Sequence, residues 1–566
     1  MISGQAGILA AIVIYLLAMV YVGFYFSKKG SGDSADDFYL GGRKLGPFVT
    51  AMSAEASDMS SWLLMGLPGV AYLTGIADAG WTAIGLGIGT YLNWLIVAQR
   101  LRRYSIVCNA ITIPDFFSRR FKDDKNILMC ISAIIILVFF IPYTASGFKA
   151  IGTLFSSLFG TDYHIAMIVG AVVIVGYTVM GGFMAVSTTD LIQSVVMSIS
   201  LVVIVFYGIH MAGGWSEVVN NATSLAGYLS ITQLHDRATA SAAPYGLLSI
   251  VSTVAWGLGY FGMPHILLRF MAIEEEKKLV LSRRIATVWV LISMCVAILI
   301  GIIGYGASVA GSIPMFTTSS QSETVIIQFA HLLGQNGFLL SLVAGVVLAG
   351  ILACTMSTAD SQLLTAASGV SQNLLQDFLK IKMSTAASMN AARLTVMGIA
   401  IVVDIICKRF STVLQTEGGY NASAFTRIKI AEHLRYLPMG YFNSNSIGEI
   451  SSVTTNTMEM LGDIAARVVM LTTQGILETT MIVLMILIFD WRIGLISAAG
   501  VVIFFVINSI MQKAGKSDSE KKVQCDTELI SQIMEYIQGI SEVKSYNLLG
   551  KQAKRLNDAN EACAKI

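Results

Sequence analysis

Apolar residues in this chain come in long unbroken runs. They show neither the strict alternation of a half-buried strand nor the single stripe of a surface helix. A helix needs about 20 mostly apolar residues to cross about 30 Å of hydrocarbon. Such runs predict spans near residues 6–27, 46–74, 80–99, 126–156, 163–180, 189–211, 242–264, 285–309, 337–358 and 389–406, with two more near 464–489 and 493–511. They are too long and too uniformly apolar for the short alternating segments of a membrane β-barrel. The first run lacks a basic leader and a small-residue cleavage site, which predicts a retained span rather than a signal peptide.

Composition agrees with the pattern. Of 566 residues, 55% are hydrophobic and 13% are Asp, Glu, Lys or Arg, and the mean hydropathy is +0.70. Soluble domains average about 25% charged residues, so too few charges exist to coat soluble domains of this total length. Disorder needs the opposite composition. A net charge of +2 gives no general attraction to nucleic acid. Seven cysteines lie far apart with no CxxC pair, so neither a disulfide framework nor a transition-metal site is expected. Lys and Arg cluster after the first, third, seventh and ninth spans, as in Lys28, Lys29, Arg43 and Lys44, or Arg269, Lys277, Lys278, Arg283 and Arg284. The intervening loops are nearly free of them, Arg237 being the main exception. Cytoplasmic loops accumulate these residues, which predicts an outside N-terminus.

Three spans carry polar or helix-breaking residues. The second, AMSAEASDMSSWLLMGLPG (51–69), holds Glu55 and Asp58, then Ser60, Ser61, Gly66, Pro68 and Gly69. Carboxylates at membrane depth are costly and usually face a cavity or a partner; the other reading is a simple Pro/Gly kink near the interface. The ninth, AGILACTMSTADSQ (349–362), reads as a second interrupted span. The Cys354 carbonyl and the Ser357 and Thr358 hydroxyls present three oxygens to a small hard cation, unless the hydroxyls simply bond back to the preceding turn. The seventh carries AWGLGYFGMPHILLRF (255–270), where Trp256 and Tyr260, four apart, share a helix face beside Gly257, Gly259, Gly262 and Pro264. They either line a small pocket or pack ordinarily, and Tyr143 after Pro142 offers the same two readings. His265 has no second histidine nearby and reads as structural.

The segments GGRKLGPFVTAMSAEASDMSSWLLMGLPG, GGFMAVSTTDLIQ, WGLGYFGMPHILLRFMA and MSTADSQLL make residues 1–407 resemble the sodium/solute symporter family, closest to its proline-carrying bacterial members. The resemblance implies two inverted five-helix repeats behind an extra N-terminal helix. It also implies sodium-driven uptake of proline, or a similar small amino acid, by alternating access. It assigns sodium to the carbonyls of Ala56, Met59 and Cys354 and the hydroxyls of Ser357 and Thr358, with Asp58 required for coupling. Asp190 matches an inner sodium exit path. Ser60, Trp62, Tyr143, Trp256, Tyr260 and Pro264 match positions linked to substrate binding and closure, and Arg43 matches a coupling-loop arginine. Glu55 departs from the family pattern, where a small residue is expected, as does Ser61.

Beyond residue 407 the family's last core helix is missing. AEHLRYLPMGYFNSNSIGEI, FDWRIGL and IMEYIQGISEVKSYNLLGKQAKRL instead resemble the membrane domain of an ATP-binding cassette exporter. No GxxxxGK[ST] phosphate loop occurs, so no ATP site is expected in this chain. Residues 1–407 hold 41 charged residues, about 10%, and residues 408–566 hold 31, about 19%. The expected architecture is therefore an all-α polytopic membrane protein: an incomplete five-plus-five symporter core (1–407), then an exporter-like hairpin with cytoplasmic extensions (408–566). The expected activity is non-enzymatic symport of sodium with proline at a bacterial plasma membrane, without cofactor. An exporter-subunit fragment and a non-functional chimera are the alternatives.

Overall fold

The computed structural model describes residues 2–29, 34–159, 163–237, 239–412 and 500–501. The predicted spans near 464–489 and 493–511, and the exporter-like loops, lie outside the described residues apart from Gly500 and Val501. The chain separates into two compact units, Met1–Arg409 and Phe410–Ile566; the account below concerns the first.

In chain order the helices are α1 (Ile2–Lys28), α2 (Ala35–Leu40), α3 (Pro47–Met59), α4 (Leu67–Thr74), α5 (Ile76–Leu92), α6 (Gln99–Val107), α7 (Ile113–Phe121), α8 (Ile127–Phe159) and α9 (Tyr163–Met211). They continue as α10 (Trp215–Ser224), α11 (Leu247–Ala255), α12 (Pro264–Ala272), α13 (Leu279–Val309), α14 (Ser319–Ser322), α15 (Val325–Gly334), α16 (Phe338–Ser368) and α17 (Thr385–Thr412). A short antiparallel ribbon, β1 (Gln233–Asp236) with β2 (Ser241–Pro244), pairs Gln233 with Pro244 and Asp236 with Ser241. Among the described residues six helices are long and apolar enough to cross a membrane, or seven if the bent pair α11–α12 is one span.

The solvation pattern is inside out relative to a soluble protein. Ile14, Leu17, Val172, Phe206 and Leu394 are exposed, whereas Ser53, Thr189, Asp190, Arg269, Asp360 and Gln362 are buried. Exposed apolar surface on this scale needs hydrocarbon around it. Buried polar groups in such a setting must find partners inside the bundle. The long helix α16 is the central post and packs against α9, α1 and α8.

Two predicted spans, 163–180 and 189–211, are the two arms of α9, which kinks at Gly182 (φ 56°, ψ −151°). Tyr177 and Asp190, 13 residues apart, would be about 20 Å apart on a straight helix. Yet Tyr177 bonds Asp360, and Asp190 shares Arg269 with the adjacent Ser361. The kink folds the arms together. Glycine is required there, because that backbone region is essentially closed to other residues and an added Cβ would lie 2.8 Å from the Phe38 ring and carbonyl.

The predicted basic loops meet at one end. Arg43 donates to the Ser105 hydroxyl (3.0 Å) and to the carbonyls of Ser105, Ala110 and Met271. Arg102 donates to Ile273 O at 2.8 Å, and the Leu45 backbone pairs with Ala272 and Glu274. The ninth-span loop joins them through Thr112–Asn373 and Asn126–Asp377. Arg269 does not belong to this set. It was expected among the loop charges, but α12 carries it into the core at 1% exposure. Arg237, the exception in the outer loops, caps carbonyls of α4 at Tyr72 and Leu73, reaches Phe316 O, and stacks on Tyr72 and Tyr305.

Gly182→Val is expected to lower stability by about 1–3 kcal/mol for the backbone alone, with further loss from the Phe38 clash. Thermal unfolding of the purified chain followed by size-exclusion recovery checks this; an unchanged midpoint would contradict the kink's role.

Candidate ion and substrate site

The second span is broken where its composition suggested. α3 ends at Met59, Ser60 takes φ 48°, and a π-helical turn (Trp62–Gly66) leads into α4. In a continuing helix the Ser60 N–H would bond the Ala56 carbonyl. It is donated instead to Thr358 Oγ1 at 3.1 Å. The Leu63 N–H, which would bond Met59, goes to Ser60 O at 3.4 Å. The carbonyls of Ala56 and Met59 are thus released from the helix ladder, and Ser357 Oγ donates to Ala56 O at 2.8 Å.

The ninth span differs from expectation: α16 is a continuous α-helix through residues 349–362 and turns π-helical only at Gly369. No Gly or Pro falls between Cys354 and Gln362 to break it. The Ser357 and Thr358 hydroxyls each lie 3.2 Å from Cys354 O, so the back-bonding reading and the bridging arrangement coexist. The second broken span is the seventh. α11 passes into a 3₁₀ segment (Trp256–Gly262) and bends by 49° into α12, with Pro264 at its first turn. The two breaks fall five spans apart, as for the first helix of each repeat in a five-plus-five fold.

These breaks enclose a cavity of about 250 Å³ lined by Asp58, Met59, Ser60, Trp62, Leu86, Tyr143, Trp256, Gly259, Tyr260, Met263 and Met294. Five of the six expected substrate positions line it, and Pro264 follows the lining residue Met263. Trp256 and Tyr260 do not share one helical face, because a 3₁₀ helix has three residues per turn. Tyr260 is buried while Trp256 is exposed. Trp62 and Trp256 meet edge to face at 4.9 Å. They divide this cavity from an outer one of about 340 Å³ that includes Asp78, Thr82 and Thr253. The Tyr260 hydroxyl faces Asp58, and Tyr143 faces Ser60.

Glu55 points away to the neighbouring helix, accepting from Trp94 Nε1 at 2.9 Å. Asp190 sits elsewhere, in a fully buried network. Its Oδ2 accepts from Ser53 Oγ (2.6 Å) and Arg269 (3.0 Å), and Arg269 also reaches Ser53, His265 O and Ser361. Asp360 completes the network by accepting from Tyr177 at 2.6 Å. Asp360 and the role of Arg269 were missed from the sequence. The signal was available: an Arg inside PHILLRFMA and an Asp inside MSTADSQ, both within apolar runs. His265 packs its ring on Phe140 at 5.3 Å. Arg43 is remote from the cavity, at the basic end.

Comparison with known proteins now decides the family. The sodium:solute symporter family matches residues 38–426. The chain belongs to this family. The osmoregulated proline transporter OpuE of Bacillus subtilis (strain 168) is 38% identical over 419 residues, covering 74% of this chain and 81% of that protein. The sodium/proline symporter of Staphylococcus aureus (strain USA300 / TCH1516) is 38% identical over 421 residues, covering 73% and 78%. A solved structure described as the substrate-bound outward-open state of a Na+-coupled sialic acid symporter superposes with a TM-score of 0.61. Its identity is 18%, covering 82% of this chain and 98% of that one. At that identity the likeness establishes the all-α symporter fold. The ABC transporter transmembrane region also matches, over residues 350–566, so the two matches overlap at 350–426. This symporter-family chain is a multi-pass membrane protein by its helices and its family.

Removing Arg269 would leave Asp190 buried without its counter-charge, which costs about 3–5 kcal/mol in comparable pairs. Arg269→Met is expected to destabilise by that order, and Asp190→Asn in the same chain to restore part of it. Thermal unfolding of the two variants checks the coupling; simple additivity would contradict it.

Proposed function

We propose that the first unit carries out sodium-coupled symport of proline across the bacterial plasma membrane by alternating access. The observation that carries the reading is the join between α3 and α16. The freed carbonyl of Ala56, the Cys354 carbonyl and the hydroxyls of Ser357 and Thr358 converge there, beside a cavity bounded by Ser60, Trp62, Tyr143, Trp256 and Tyr260. Five oxygens, those of Ala56, Met59, Cys354, Ser357 and Thr358, suit a hard monovalent cation, which prefers oxygen donors. Sodium there replaces hydrogen bonds across the break and ties α3 to α16. Substrate in the adjoining cavity closes Trp62 and Trp256 over itself, with Pro264 preserving the bend that lets α12 move against α11. Coupling is reciprocal, so proline raises sodium affinity by the factor by which sodium raises proline affinity. The proline relatives support the substrate, and Asp58, facing Tyr260 at the cavity wall, supports the electrostatic link between ion and imino acid. Arg43 holds the basic loops together at the inner end, and Asp190 lies on the route by which sodium leaves.

We also propose that the symporter domain ends at residue 407 and that residues 408–566 form a separate segment of exporter type. The division of compact units at Arg409 and the rise in charge support the boundary, and the match to the ABC transmembrane region over residues 350–566 supports the type of the second segment. That match also keeps the hybrid reading in play; sequencing the native locus across codon 407 tests it, a continuous frame opposing an artefactual join.

In proteoliposomes holding the full chain, labelled proline uptake is expected to rise with an inward sodium gradient. Asp58→Asn is expected to abolish the sodium stimulation. Uptake indifferent to sodium would overturn the symport reading.

A further inference from the structure

We propose that the outer cavity between α5 and α11 is a second binding site for the transported amino acid, in which the Asp78 carboxylate receives its ammonium group. The proposal rests on the reading of this chain as a carrier of proline. It concerns residues on the outer side of the Trp62–Trp256 pair.

One apolar span runs from Ile76 to Val107, and Arg100, Arg102 and Arg103 lie near its far end. Asp78, in its first turn, is therefore at the outer end. α5 and α11 run side by side in the same direction. Gly85 lies against Val254 and Gly89 against Gly257, so closely that a Cβ added at Gly89 would stand 2.3 Å from Gly257 O. Further out, Tyr245 ties the two helices together. Its hydroxyl meets Asp78 Oδ1 at 2.8 Å and Thr253 Oγ1 at 2.6 Å. The cavity of about 340 Å³ opens beside this tie. Asp78, Ala79 and Thr82 line it from α5, Ser252 and Thr253 from α11, and Val70 from α4. Trp62 and Trp256 line it as well as the inner cavity, so they stand between the two.

The lining matches the two ends and the ring of a small imino acid. Asp78 is the charged residue among the lining residues, and it is half-buried. Tyr245 engages one of its oxygens, and among the described residues no ion pair neutralises it. Arg237, the main basic residue of the outer loops, is committed to the carbonyls of Tyr72, Leu73 and Phe316. The counter-charge must therefore come from a ligand, and a charge-assisted hydrogen bond from an ammonium is the strong form of that contact. Ser252, exposed on α11, supplies a hydroxyl for the ligand's carboxylate. Val70, Ala79 and the two indoles supply apolar surface for its ring. The volume falls within the range of small-molecule sites. A bare sodium ion would leave the apolar wall and most of that volume unused. An amino acid held here waits directly outside the tryptophan pair that closes the inner cavity.

The test is equilibrium binding of radiolabelled proline to the purified full chain in lipid nanodiscs. Two molecules per chain are expected. Asp78→Asn is expected to weaken one of them about tenfold or more, as for the loss of one hydrogen bond to a charged group. Tyr143→Ala, in the inner cavity alone, is expected to remove the other. In Tyr143→Ala, pyrrolidine, a ring amine without a carboxylate, is expected to displace the remaining proline, and cyclopentanecarboxylate, which lacks the amine, is not. Ser252→Phe, an exposed position where added bulk fills the outer cavity, is expected to act as Asp78→Asn does and carries the test if that variant does not fold. One proline in the unaltered chain, lost with Tyr143→Ala and indifferent to Asp78→Asn and Ser252→Phe, would overturn the outer site and leave the symport reading intact. Equal competition by the two analogues would overturn the role of Asp78. No bound proline at all would overturn the substrate reading itself.

Discussion

Backbone polar groups away from water must be satisfied, and the break after Met59 is built on that constraint. Left-handed geometry at Ser60 takes one N–H out of the α3 ladder and frees the carbonyl four residues before it. α16 answers with two adjacent hydroxyls, one accepting the freed amide and one donating to the freed carbonyl. The helix break and its repair are a single interaction between two elements some 300 residues apart in sequence. The cavity wall at Asp58–Trp62 stands where it does because of this join. A helix end held only by two hydroxyls and a carbonyl is also one that an ion can replace.

The buried ionic network below the cavity solves a different problem. Arg269 arrives on α12, Asp190 on one arm of α9, Asp360 and Ser361 on α16, and Ser53 on α3. Four elements that must move against one another in a carrier are thereby linked through one guanidinium. Breaking such a pair on one side is expensive, so the network favours one defined arrangement of these elements. Arg237 does comparable work at the opposite end, joining the ribbon, α4 and the loop at Phe316.

Much of this was legible in advance. The apolar runs located the spans, because crossing hydrocarbon demands a length and composition that survive any packing. The break in the second span was legible because carboxylates, glycines and a proline conflict with an uninterrupted apolar helix. The ninth span was misread as interrupted: hydroxyls signal hydrogen bonding but do not break a helix. Arg269 was misread as a loop charge because it was grouped with the nearby Lys277 and Lys278, although it lies inside the apolar run PHILLRFMA. The β1–β2 ribbon carried no apolar alternation and was not anticipated.

The amino-acid sequence by itself determined that this chain lives in a membrane, which ends of its helices are basic, and that residues 51–69 would not run straight. Those properties follow from local composition and from the cost of burying charge. Only the tertiary structure decided which hydroxyls meet which freed carbonyls. It also decided that Glu55 turns to Trp94 rather than to the cavity, and that Asp190 and Asp360 share surroundings with Arg269. These are pairings across long sequence separations, set by how helices pack and where α9 kinks at Gly182, and no residue's neighbours in the chain encode them.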